Sequence, residues 1–228
     1  MELIKRIDSF IKLGNYITED SEKLQSIIRL TGIKNHWFTK VNCYLAMNSI
    51  AEKMLQEDEL KNWINSYNLE SVQIKNIGII AAGNIPLVSF HDVLSVLISG
   101  NRLFLKTSDR DNVLLVHLIE KLIDFNPEWE DFIRIDQRWS NIDAVIATGS
   151  NNSGRYFEYY FGKNPNIIRK NRHSIAVLTG NETNEELYQL GTDVFEYFGL
   201  GCRNVSMVWI PKDYKFDQLI EAWQPFSE

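Results

Sequence analysis

From Ile74 onward the chain alternates short buried-looking apolar runs with longer stretches of helical spacing, and no other feature restricts its fold as much. Ile77-Gly78-Ile79-Ile80-Ala81-Ala82 reads as a buried strand and Gly83-Asn84-Ile85-Pro86-Leu87 as the turn that follows it, leading into a helix from Ser89 to Leu97. Leu103-Phe104-Leu105-Lys106 is a second strand and Asn112 to Ile123 a second helix. Phe132 to Asp136 gives a third strand and Ala144-Val145-Ile146-Ala147 a fourth, which runs through Thr148-Gly149-Ser150-Asn151-Asn152-Ser153-Gly154-Arg155 into a helix rich in Tyr and Phe. Parallel strands need a crossover connection, usually a helix, so this order predicts an α/β fold with a parallel sheet. Ligands of such sheets bind outside the carboxyl ends of the strands, where both glycine-bearing turns fall.

Flanking this core, apolar positions recur at helical spacing from Glu2 to about Leu69, as in Leu3, Ile7, Phe10 and Ile11, which predicts an N-terminal helical layer. Asn35-His36-Trp37-Phe38-Thr39 interrupts it, with two adjacent aromatics that suit packing or a substrate contact. Beyond Ile167-Ile168 come a strand from Ser174 to Leu178, a helix from about Asn184 to Phe198, a turn with Cys202, a strand from Val205 to Ile210 and a short final helix. The expected division is 1–70 helical, 71–180 a Rossmann-like nucleotide-binding domain, and 181–228 a further, incomplete segment.

A formal charge of -6 without a block of like-signed residues argues against nucleic-acid partners, which call for clustered Lys and Arg. No apolar run approaches a membrane span, and Glu2, Lys5, Arg6 and Asp8 stand where a secretory signal would be apolar, so the expected location is the cytoplasm. Cys43 and Cys202 are the whole cysteine count, which excludes a disulfide framework or a CxxC metal site. His36, His91, His117 and His173 are scattered without an HExxH pair, so no metal is expected.

Several residues carry candidate chemistry, each with a plainer alternative. Cys202 lies in Phe198-Gly199-Leu200-Gly201-Cys202-Arg203-Asn204, where glycines allow close approach of backbone and ligand. A nucleophile fits, and so does a small packed hydrophobe. Asn84, held at a strand end, can donate to an oxyanion or bond its own turn. Lys106, ahead of Thr107 and Ser108, can reach ribose or phosphate or simply be solvated. Thr148-Gly149-Ser150 offers helix-terminal N–H groups to a phosphate, or Ser150 is a plain N-cap. No GxGxxG turn is present.

Taken together and in order, Gly83-Asn84-Ile85-Pro86, Leu105-Lys106-Thr107-Ser108, Thr148-Gly149-Ser150 with Gly154-Arg155, and Gly201-Cys202 resemble the aldehyde dehydrogenase superfamily. With Phe90-His91-Asp92 and Arg169-Lys170-Asn171-Arg172-His173-Ser174, the chain is similar to its LuxC-like acyl-CoA reductase branch, over Trp37 to Tyr214. The resemblance implies Cys202 as the catalytic thiol and Asn84, with the Cys202 backbone N–H, as oxyanion donor. It places Lys106 and Ser108 at the adenosine ribose and Thr148, Gly149 and Ser150 at the cofactor pyrophosphate, in a superfamily that binds dinucleotides without GxGxxG. It makes NADPH the expected cofactor, with NADH the alternative, and a fatty acyl-CoA or other acyl thioester the substrate. A homo-oligomer or a fatty-acid reductase complex is the assembly it implies for a full-length protein.

Two departures from the resemblance matter. Hydrolytic members carry a glutamate base just ahead of the strand that begins here near Ser174, but Asn166-Ile167-Ile168-Arg169-Lys170-Asn171 holds no carboxylate. An acyl-cysteine would then persist until CoA or hydride reaches it, which favours acyl-CoA reduction over oxidation to a free acid. Members also continue far past the nucleophile, whereas this chain stops soon after Tyr214, so 181–228 reads as the start of a truncated catalytic domain. The rivals are a non-catalytic nucleotide-binding or assembly module and a short-chain CoA-acylating aldehyde dehydrogenase.

Overall fold

The structure, a computed structural model, describes residues 1–69, 73–139 and 141–227. It divides into two compact units, Met1–Lys170 and Asn171–Glu228. The expected boundary between 70 and 71 lies outside the described residues.

The first unit is built on a five-stranded, all-parallel sheet of order β3-β2-β1-β4-β5. Its strands are β1 (Asn76–Ile80), β2 (Arg102–Lys106), β3 (Ile133–Ile135), β4 (Ala144–Thr148) and β5 (Asn166–Arg169). Helices α5 (Phe90–Ile98), α6 (Leu114–Phe125) and α7 (Asn151–Phe161) make the crossovers. Strand order runs outward from β1 to β3 and then returns to place β4 on the other flank of β1, so the topological switch lies between β1 and β4. The strands are where the alternation puts them because their β-branched and aliphatic side chains are buried: Ile79, Leu103, Leu105 and Ala147 have no exposed surface.

Four helices precede the sheet: α1 (Leu3–Thr18), α2 (Glu22–Lys34), α3 (Lys40–Lys53) and α4 (Glu57–Ile64). Their starts follow side-chain chemistry, since Ser21 caps α2 by accepting the Leu24 N–H and Thr39 caps α3 by accepting that of Asn42. Phe10 and Leu13 of α1 are fully buried, and Phe10 meets Trp129 edge-on with ring centroids 5.9 Å apart. Gly14 lets α1 approach the segment after α3, because a Cβ there would stand 2.9 Å from that of Leu55. The buried Arg6 guanidinium donates to the carbonyls of Ile98 and Leu69, tying α1 to the end of α5. Of the two aromatics at 37–38, Phe38 is buried and Trp37 more than half exposed.

The second unit holds a two-stranded parallel sheet of β6 (Ser174–Val177) and β7 (Val205–Trp209), with helices α8 (Asn184–Phe195) and α9 (Asp217–Trp223). Thr183 and Glu186 form a reciprocal capping box at the start of α8. Leu178, Leu187 and Leu219 make its small core, and Trp223 donates from Nε1 to the Leu187 carbonyl at 2.9 Å. The helix expected to reach Phe198 stops at Phe195, because Tyr197 and Phe198 turn to positive φ. Among the described residues no helix is long and apolar enough to cross a membrane.

Candidate functional site

The two turns singled out in the first unit sit side by side. β1 ends at Ile80 and β4 at Thr148, the strands are paired, and their following turns therefore open at the same carboxyl edge beside the switch point.

The turn after β1 is fixed from several directions. Ala81 donates its N–H to the Lys106 carbonyl at 2.9 Å, and Ala82 donates to Oγ of the buried Ser89 at 3.1 Å. Gly83 must be glycine: a Cβ there would fall 2.3 Å from Ser108 Oγ. The turn closes at Leu87, a buried residue at φ +57, whose N–H donates to Asp111 Oδ2 at 2.8 Å. Burial pushes the Asp111 carboxyl up to about 7 while the Leu87 N–H works to lower it. Asn84 is half-buried between these anchors, in a turn whose main chain is tied at both ends.

At the end of β2, Lys106 is exposed and donates from Nζ to Asp136 Oδ1 at 3.0 Å. Asp136 also accepts the Thr107 N–H at 3.0 Å and Thr107 Oγ1 at 2.6 Å. Burial works to raise the Asp136 carboxyl, but these bonds outweigh it and hold it below the usual carboxylate range. Thus Lys106 presents an ion pair, while Ser108 packs against Gly83 and accepts the Arg110 N–H at 3.3 Å.

After β4, Gly149 donates its N–H to the Arg169 carbonyl at 3.1 Å, which continues the β4–β5 ladder. Ser150 is the N-cap of α7 and accepts the Ser153 N–H at 3.1 Å, so the plainer alternative for Ser150 is realised. The first-turn amides without an intrahelical acceptor are then those of Asn151 and Asn152, adjoining the Thr148-Gly149 bend. A Cβ at Gly149 would meet Ser153 and Phe157 at 3.0 Å, so the bend is tight.

Cys202 belongs to the second unit. Its side chain is exposed, whereas Cys43 is wholly buried and its thiol is pushed up to about 12, chiefly by burial. Glu196–Gly199 forms a 3-10 turn with Tyr197, Phe198 and Gly199 all at positive φ, and Gly201 to Asn204 is closed by the Asn204 N–H donating to the Gly201 carbonyl at 3.1 Å.

Arg169, from the stretch ahead of β6, pairs with Asp92 of α5 at 2.6 Å, joining residues from two of the quoted motif segments. Lys170 pairs with Glu158 at 2.6 Å. No group of three or more His, Cys, Asp or Glu among the described residues is arranged to hold a metal.

Sequence reasoning missed Asp111, Asp136 and the Asp92–Arg169 pair. Asp136 was legible in principle, because an acid ending the strand beside the one that ends in Lys106 lies within reach of that lysine. Asp111 carries no such signal: its role is set by a turn that lies 24 positions earlier in the chain.

No known protein-family profile matches the chain, and no curated protein is recognisably similar in sequence. Solved structures do match. An indole-3-acetaldehyde dehydrogenase in complex with NAD+ superimposes with a TM-score of 0.75 at 14% identity, over 99% of this chain and 51% of that one. Aldehyde dehydrogenase C of Pseudomonas syringae, in complex with NAD+ and octanal, gives 0.75 at 12% identity over 99% and 50%. A glyceraldehyde-3-phosphate dehydrogenase of Methanocaldococcus jannaschii, with NADP, gives 0.70 at 15% over 98% and 53%. The chain therefore has the aldehyde dehydrogenase fold and spans about half the length of the structures it matches.

Proposed function

We propose that this chain serves a thiol-dependent oxidoreductase of the aldehyde dehydrogenase type, and that its reaction is the reduction of a long-chain acyl-CoA to the aldehyde. One observation carries the reading: on this fold, the Asn84 and Gly149-Ser150 turns adjoin the switch point of the sheet while a glycine-flanked turn exposes Cys202. The functional division at 70 and 180 belongs to this proposal, as does a cytoplasmic location.

In the proposed reaction the Cys202 thiolate attacks the thioester carbonyl carbon, and the carbonyl electron pair moves to oxygen. The Asn84 amide and the Cys202 backbone N–H donate to that oxyanion. Collapse expels CoA and leaves an acyl-cysteine. When bound, a reduced nicotinamide supplies the hydride that this acyl carbon needs. The Cys202 thiolate then leaves, so that acyl-CoA, reduced nicotinamide and a proton yield aldehyde, CoA and oxidised nicotinamide. Two carboxylates reach the stretch where hydrolytic members keep their base, Asp92 and Glu158, and each meets a cation there. Neither is placed to activate water, which supports reduction over hydrolysis.

The residues present suit a nicotinamide dinucleotide. The tight Gly149 bend and the first-turn amides of α7 would take its pyrophosphate, and the end of β2 its adenosine ribose, with Lys106 and Ser108 nearest. NADPH is the cofactor we propose. NADH is the alternative, since the neutral Lys106–Asp136 pair suits ribose hydroxyls as well as a phosphate.

Incubation with palmitoyl-CoA followed by mass spectrometry of the adduct tests the chemistry. The acyl label is expected on Cys202 and is expected to vanish in Cys202→Ala. A label that survives that substitution overturns the proposal.

A further inference from the structure

The Cys202 turn contains an unusual concentration of costly backbone. Tyr197, Phe198 and Gly199 follow one another at φ +53, +57 and +68, and for a residue with a Cβ the left-handed region costs about 1–2 kcal/mol. Such a conformation persists only where its surroundings over-determine it, and it gathers at functional sites. The 3-10 turn lies toward the surface, with none of its residues buried.

The Asn204 side chain spans this segment. Its Oδ1 accepts the Gly201 N–H at 2.8 Å, and its Nδ2 donates to the carbonyls of Asp193 at 2.8 Å and Glu196 at 3.1 Å. Those two carbonyls lie at the end of α8, where the last turn leaves acceptors without intrahelical donors. Asn204 thus ties the helix end to the residue before Cys202. Its own backbone N–H holds the Gly201 carbonyl as well, so Gly201 is gripped on both sides.

That second grip has a chemical consequence. The Gly201 carbonyl and the Cys202 N–H belong to one planar trans peptide, in which C=O and N–H point in opposite directions. Holding the Gly201 carbonyl on the Asn204 N–H therefore aims the Cys202 N–H the other way. We propose that the Asn204 side chain is the positioning group of the Cys202 loop: by tying Gly201 to the end of α8 it holds in place the peptide whose Cys202 N–H donates to the oxyanion, while the Asn204 backbone N–H, which any residue there keeps, sets the direction of that peptide. The proposal rests on the reading of Cys202 as acyl acceptor. An amide meets the need because donors must face the α8 carbonyls while an acceptor faces Gly201, and Asn carries both on a short side chain.

The test compares two reactions of the same thiol. Acylation by palmitoyl-CoA passes through an oxyanion, and alkylation by iodoacetamide does not. Asn204→Ala is expected to slow acylation of Cys202 on the order of 10- to 100-fold, the scale of a misplaced reacting group, while alkylation changes far less. Asn204→Asp keeps the acceptor and the size but turns a carboxylate oxygen toward the α8 carbonyls; it is expected to slow acylation too, and it carries the test if the alanine variant fails to fold. Acylation at the parent rate in either folded variant, or an equal fall of both reactions, overturns the proposal. Hydrogen exchange at the Gly201 amide gives a reading without any variant: protection in the parent is expected, and exchange at the rate of an open loop refutes the tie. If the parent takes no acyl label at all, the Cys202 reading fails by itself, and Gly201 exchange still judges whether Asn204 holds the loop.

Discussion

The turn that carries Asn84 and the turn that carries Cys202 are both glycine-bearing, and both contain residues with a Cβ at positive φ, yet they are held by opposite means. The first is closed by a buried carboxylate, Asp111 on the Leu87 N–H, and by main-chain bonds into β2 and to Ser89. The second lies at the surface and is bridged by a neutral amide, Asn204. A buried carboxyl holds firmly but resists ionising, so its hold answers to pH. A half-exposed amide holds without titrating, and it leaves the thiol beside it open to reagents. The difference suits the proposed roles, since an oxyanion donor gains from a rigid mount and a nucleophile must be reached.

The sharpest way to break this comparison is to remove the group that the rigid turn presents. Asn84→Ala should lower kcat about 100- to 1,000-fold, the usual loss for one oxyanion donor, with much less change in KM. Single-turnover measurement of acyl-cysteine formation checks it. Parent rates in both acylation and reduction would leave the Asn84 turn a structural feature alone.

The pin beneath that turn supplies the next contrast. The native Asp111 carboxyl is raised to about 7 by burial, whereas in the unfolded chain it ionises near its ordinary 3.8. Between those values the native state keeps a proton that the unfolded state releases, so this group makes stability fall as pH rises through the window and then level off. Asp111→Asn, which cannot ionise, should flatten that slope, by about 4 kcal/mol over the whole window, of which about 3 kcal/mol falls between pH 5 and pH 8. Urea unfolding at pH 5 and pH 8 measures it. Asn204 carries no charge, so its replacement should leave the slope as it was. A slope unchanged in Asp111→Asn would show that other groups govern the window.

These pins were the least legible part of the chain. The strands were readable because β-branched and aliphatic runs with turn residues between them specify a buried parallel sheet, and β1, β2 and β4 lie within two residues of where the pattern puts them. The candidate turns were readable because strand ends place them at the ligand edge. What periodicity cannot show is which polar group satisfies which distant amide: Asp111 serves Leu87 and Asp136 serves Thr107, 24 and 29 positions away. Nor does hydrophobicity tell which face of a strand is covered. Ile175, Val177, Met207 and Trp209 alternate as a core face would, yet all four are more than half exposed. The end of α8 escaped for a local reason: left-handed Tyr197 and Phe198 stop a helix where composition would continue it.

The smallest expected effect concerns Lys106, where the two ends of the β2 strand-edge pair oppose each other. Lys106 and Asp136 are together neutral, so a phosphate placed beside them meets only the pair's dipole and no net charge. Replacing Lys106 by Met keeps much of the stem but leaves the Asp136 carboxylate uncompensated, which penalises the additional phosphate of NADPH more than the bare ribose of NADH. Asp136→Asn does the reverse, leaving an unpaired ammonium that favours NADPH. At an exposed site each charge is worth about 1 kcal/mol at 4 Å in water, so affinity shifts of a few-fold are expected. Calorimetric titration of both nucleotides into the parent and the two variants gives the comparison directly. Opposite shifts in the NADPH-to-NADH ratio support this strand end as the ribose site. Shifts of the same sign would mean that the pair acts only by shaping the loop, and identical affinities throughout would place the ribose elsewhere on the sheet edge.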